Sequence, residues 1–103
     1  MTPSKADVIE VLRRSNPTAP KQSIQMYAQS FVEYLDAESN IVKNGTVCAH
    51  PRTGQPMSNP YCAIKSHAMA DMGKLLKQLD TNPLWNWWEI QNAPALDEDS
   101  KDA

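Results

Sequence analysis

Four residues bring together the metal-ligand and nucleophile chemistry of this sequence: Cys48 and His50, then Cys62 and His67. Thiolates and neutral imidazoles hold zinc tetrahedrally, and a Cys/His pair can also act as nucleophile and base. The spacings Cys-x-His and Cys-x4-His depart from those of zinc modules. No oxyanion loop and no acid to orient a histidine accompany them. Turn and core roles are therefore expected for all four, with no metal. A phosphate-cradling loop does not suggest itself either, because the chain has three glycines and none is clustered. The carboxylates Glu33, Asp36 and Glu38 fall mostly on a polar helical face, which reads as solvated surface rather than an acid–base pair. The expectation is a protein that is not an enzyme, with no catalytic residue and no cofactor.

Charge and aromatic residues are placed unevenly. Residues 1–21 sum to +2 and residues 81–103 to −4, although the whole chain of 103 residues carries only −2. Arg13, Arg14 and Lys21 cluster where a first helix would end. Repeated around an assembly of copies, they could hold a phosphate backbone without reading bases. Lys65, Lys74 and Lys77 stand further along, the last two suited to a helix C-terminus. All three tryptophans, Trp85, Trp87 and Trp88, lie within four residues. Tryptophan serves both small cores and binding anchors, so docking on the chain's own helices and anchoring of a partner both remain open.

The elements that must position these residues follow from apolar spacing. Thr2 as cap and Pro3 as first helical residue predict a short helix to about Arg14, with Val8, Val11 and Leu12 on one face and Ser15-Asn16-Pro17 as its stop. Ile24, Tyr27, Ala28, Phe31, Tyr34 and Leu35 step by three and four residues and predict a long helix from about Ala19 to Asn44, with Gly45 just past its end. Asn59-Pro60 opens another, running to about Leu79, with Ile64, Ala68, Met72, Leu75 and Leu79 on one face and Ala63, Met69 and Leu76 widening it. Between them, Thr46 to Ala49 and Gln55 to Met57 read as a tiny β-hairpin or extended loop about the turn Pro51-Arg52-Thr53-Gly54. A single turn of helix is expected around Leu84 and Trp85.

The fold class expected is all-α: an antiparallel helical hairpin with a short N-terminal helix and a small β-hairpin at its tip. Residues 1–90 form one domain, and 91–103 an acidic, disordered tail. The stripes on the long helices look wider than one pair needs, so Tyr27, Phe31, Leu35, Met72, Leu75 and Leu79 are expected at a homo-oligomer interface, which a chain this small would use to complete its core. No apolar run is long enough for a membrane span and no signal peptide is evident, so an intracellular protein with free thiols is expected.

The segment "MYAQSFVEYLDAESNIVKNGTVCAHPRTGQPMSNPYCAIKSHAMADMGKLLKQL" resembles the small terminase subunits of tailed phages and prophages. The elements that carry the likeness are Tyr27 and Tyr34, Gly45, Pro51 with Gly54, Asn59-Pro60, and Met72 with Leu75, Leu76 and Leu79. It covers about half of the chain. The resemblance implies a non-enzymatic subunit that forms a ring in the host cytoplasm, binds double-stranded viral DNA and regulates the large terminase subunit. On that reading Arg13, Arg14 and Lys21 contact DNA, and Trp85, Trp87 and Trp88 contact the large subunit. The competing expectation is a small phage-encoded module that binds or inhibits another protein.

Overall fold

The computed structural model describes residues 2–50 and 52–92. Four helices and one two-stranded ribbon make up the fold: α1 Lys5–Ser15, α2 Lys21–Asn44, β1 Val47–Ala49, β2 Pro56–Ser58, α3 Pro60–Leu75 and α4 Asn82–Asn92. This is the all-α class with a small hairpin that the sequence predicts. Among the described residues no helix is long and apolar enough to cross a membrane.

α1 begins later than predicted. Ser4, not Thr2, is its cap, with the Ser4 hydroxyl accepting from the Asp7 N–H at 3.1 Å. Thr2 instead donates its hydroxyl to the Asp36 carboxylate across the molecule, at 3.5 Å. α2 starts after Pro20, two residues beyond the expected Ala19, and ends as predicted at Asn44. Gly45 there takes φ 83°, a conformation glycine adopts without steric cost, and its N–H closes the helix on the Ile41 carbonyl at 2.7 Å.

The ribbon is antiparallel, pairing Val47 with Ser58, Cys48 with Met57 and Ala49 with Pro56. Its turn contains Gly54 at φ 72°; Pro51, assigned to this turn from sequence, lies outside the described residues. Asn59 locks the ribbon to the helices. Its side chain accepts from the Tyr61 N–H as the α3 cap and donates to the Gly45 carbonyl and the Asn40 side chain at 2.8 and 3.0 Å.

α3 ends at Leu75, four residues before the predicted Leu79. The chain tightens there, with Leu76 and Gln78 bonding back only three residues, to Gly73 and Leu75. That change of pitch still delivers Leu79 to the core, where it is 5% exposed. α4 is longer than the predicted single turn. Pro83 lies inside its first turn, where a missing N–H breaks no helical bond, and the helix runs for eleven residues in all. Gln91 and Asn92, assigned to a disordered tail from sequence, belong to this helix; the rest of that tail, 93–103, lies outside the described residues.

α2 and α3 form the antiparallel hairpin, while α1 packs on both α2 and α4. Val8, Leu12, Ile24, Tyr27, Ala28, Phe31, Met72, Leu75, Leu79 and Leu84 make one buried cluster. The inward stripe of α3 is narrower than predicted: Ala68, Met72 and Leu75 face the core, whereas Ala63, Ile64, Met69 and Leu76 are exposed.

Candidate functional site

The Cys/His set divides between the ribbon and α3. Cys48 is half-buried in β1, Cys62 half-buried in the first turn of α3, and both are free thiols. His50 serves the turn, its Nδ1 accepting from the Arg52 N–H at 3.1 Å. His67 is exposed on α3. Among the described residues no three His, Cys, Asp or Glu side chains converge on a point that could hold a metal.

The basic residues of the N-terminal region meet where α1 hands over to α2. Arg13 and Arg14 lie in the last turn of α1, a position favoured by the helix dipole, with side chains 67% and 77% exposed. Both reach the same acid: Arg13 Nη2 is 2.6 Å and Arg14 Nε 3.4 Å from the Glu10 carboxylate. The hydrogen bond from Arg13 holds the Glu10 carboxyl below its ordinary pKa; partial desolvation opposes this, and the charges of both arginines add to it.

Arg13 and Lys21 line one cleft of about 330 Å³, with Ile9, Asn16, Pro17 and Ile24 among its walls. Pro20 offers no side-chain cap, so the first N–H groups of the 24-residue α2 have no side-chain acceptor beside this cleft. Two cations and a helix N-terminus together favour an anion such as phosphate.

Asn16, marked in the sequence only as a stop signal, fixes this corner. Its amide donates to the carbonyls of Leu12 and Asp80 at 3.1 and 2.9 Å, and its Oδ1 accepts from the Asp80 N–H at 2.7 Å. The end of α1 is thereby tied to the connection between α3 and α4, 64 residues away. No local pattern signals a partner at that distance.

Of the residues expected at a subunit interface, Tyr27, Phe31, Met72, Leu75 and Leu79 are buried inside the single chain, and Leu35 is half-buried against the same cluster. The tryptophans join them. Trp85 stands edge-on to Phe31 with centroids 4.7 Å apart, and donates its indole N–H to the Tyr27 hydroxyl at 3.0 Å. Trp88 also meets Phe31 edge-on, at 6.3 Å, and Trp87 lies tilted against Trp88. All three stay half-buried. Trp87 and Trp88 border a cleft of about 280 Å³ shared with Thr2, Pro3 and Asp7.

On the other side of α4, a groove of about 240 Å³ runs between α2, α3 and α4, walled by Tyr27, Tyr34, Met69, Met72, Gly73, Leu76 and Trp85. Lys65 stands at one end, its Nζ 5.8 Å from the centroid of the Tyr34 ring and 2.8 Å from Glu38. The hydrogen bond to Glu38 raises the Lys65 pKa against partial desolvation.

A helical hairpin with a ribbon tip, flanked by two shorter helices and bearing basic residues at one corner, defines a small helical protein. The family model described as phage terminase, small subunit, matches residues 6–84, from α1 into the first turn of α4. The chain belongs to that family, and its role lies in phage DNA packaging. Comparison with curated proteins and with solved structures gives no match.

Proposed function

We propose that this protein is the non-catalytic small subunit of a phage terminase, which assembles from several copies in the host cytoplasm, binds double-stranded viral DNA and regulates the large terminase subunit. The family match over residues 6–84, which takes in the whole hairpin and its basic corner, carries this reading. DNA is held through its phosphates by Arg13, Arg14 and Lys21 beside the start of α2, a surface with charge but little that could read base edges.

The buried residues Tyr27, Phe31, Leu35, Met72, Leu75 and Leu79 serve assembly by holding α2 and α3 as one rigid unit. Contacts between copies in a ring then fall to apolar residues the single chain leaves exposed, such as Ile64, Met69 and Leu76. The large subunit engages the outer edges of Trp85, Trp87 and Trp88, and the open cleft beside Trp87 and Trp88 gives a partner side chain room against the indoles.

The test is the mass of the protein in solution, measured with and without duplex DNA. A closed assembly of many copies that shifts on adding DNA is the expected result. A monomer or dimer indifferent to DNA would instead favour a phage-encoded module that binds or inhibits another protein.

A further inference from the structure

We infer that the ribbon end of the hairpin is a second cationic contact for the duplex, with Lys43 and Arg52 binding phosphates one helical turn of DNA away from those held by Arg13 and Lys21. This rests on the DNA-binding reading above and adds how the protein lies along the duplex. Charge is segregated along the chain. Residues 39–70 contain no aspartate or glutamate but carry Lys43, Arg52 and Lys65, in a chain whose net charge is −2. Lys65 is engaged by Glu38. Lys43, in the last turn of α2, and Arg52, in the ribbon turn, are exposed, and among the described residues neither has a carboxylate within ion-pair distance. A phosphate arriving there displaces no acid, unlike one arriving beside Glu10.

The length of α2 sets the spacing. At 1.5 Å and 100° per residue, Lys43 stands about 33 Å from Lys21 along the helix axis and within about 40° of the same face. One side of B-DNA repeats every ~34–36 Å. A duplex laid along this face therefore presents phosphates to both ends of α2 at once. Between the lysines, Glu33 and Asp36 are exposed, with Asp36 accepting from the Thr2 hydroxyl, so the attraction is confined to the two ends.

The ribbon is ill suited to pairing with a strand of a second copy. Ladder bonds join Asn59 to Thr46 and His50 to Gln55, so in the alternation of an antiparallel pair Ala49 and Pro56 exchange none. The N–H that Pro56 lacks belongs on the free edge of β2, and proline there blunts that edge. What remains to offer a partner is the turn, where the Arg52 N–H bonds to His50 Nδ1 at 3.1 Å and fixes the backbone that carries the guanidinium.

The experiment measures binding of the full chain to fluorescent DNA hairpins with stems of about 8 and about 24 base pairs, shorter and longer than the ~10-base-pair helical turn. On the long stem, Lys43→Ala with Arg52→Ala should weaken binding several-fold at low salt and lower the logarithmic salt slope by about 0.9 for each lost phosphate contact. The short stem admits only one end of α2, so the same substitutions should cost at most about twofold there, because the corner of Arg13 and Lys21 still binds. Lys43→Arg with Arg52→Lys keeps both charges and should keep the parent's affinity for the long stem. Both side chains are exposed, so the variants should keep the parent's circular dichroism. Long-stem binding that ignores Lys43 and Arg52 but falls with Arg13→Ala and Lys21→Ala overturns this inference and leaves the DNA-binding reading standing. Equal losses on the two stems overturn the one-turn spacing, and the inference with it. A parent protein that binds neither stem overturns the DNA-binding reading itself and whatever rests on it.

Discussion

Asn16 and Phe31 hold this fold by different means, and the sequence exposes only one of them. Phe31 sits at the i+4 position from Tyr27 and is 0% exposed, in edge-on contact with both Trp85 and Trp88. Periodicity alone places it inside. Phe31→Ala is expected to lower the unfolding free energy by about 3–5 kcal/mol, read from the urea midpoint. Asn16, within Ser-Asn-Pro, has a sufficient local explanation as a helix stop, and that explanation hides its bonds to both backbone groups of Asp80. Asn16→Ala removes those bonds, whose Asp80 groups are exposed and can turn to water, and should cost about 0.5–1.5 kcal/mol, measured in the same way.

Glu10 was likewise silent in the sequence, because its importance lies in which cations it faces. Its folded pKa is depressed, so the favourable contribution is present above the unfolded value and is lost as pH falls through the folded one. Carboxyl titration by NMR should find Glu10 below an ordinary glutamate, and Arg13→Ala should move it back up.

At the scale of elements, helix existence was legible and helix boundaries were less so. The i, i+3, i+4 stripes of α2 and α3 and the Asn59-Pro60 start were enough to predict the hairpin, because burial of one face rewards that spacing. The end of α3 is set by tightened turns that bring Leu79 inward, which no propensity distinguishes from continued helix. α4 was underestimated for a related reason. Proline ends one helix and begins the next with the same chemistry, so Thr-Asn-Pro reads as a terminator although Pro83 lies in the first turn of an eleven-residue helix.

The consequence concerns the tryptophans. Leu84 is 0% exposed and Trp85 covers Phe31, so α4 is part of the core as well as a carrier of indole edges. A chain ending at Thr81 is expected to lose several kcal/mol of stability, enough to unfold a domain this small. Circular dichroism reads the outcome: a loss of helix larger than α4 itself marks collapse of the core. Trp87→Ala, at the half-buried edge, should keep the helix content and serve to separate partner binding from folding.

For the whole molecule the deciding quantity is how much free positive charge one corner offers to DNA. Arg13, Arg14 and Lys21 gather there, but Glu10 holds both arginines and stays ionised to lower pH than an ordinary glutamate because they hold it. A phosphate must therefore compete with a carboxylate already in place. Glu10→Gln removes the competitor without emptying any core, and the side chain it alters is 41% exposed, so the fold is unaffected. If this corner binds the DNA backbone, Glu10→Gln should tighten duplex binding several-fold at low salt. It should also steepen the fall of affinity with salt, by about 0.9 in the logarithmic slope for each added phosphate contact. Arg13→Ala with Lys21→Ala should move both quantities the other way, and the gain from Glu10→Gln should vanish in their presence. Binding curves over a salt series, measured on a fluorescent duplex, supply all three comparisons. Affinity that ignores Glu10, Arg13 and Lys21 alike would place the DNA on another face, with the lysines of α3 the next surface to examine.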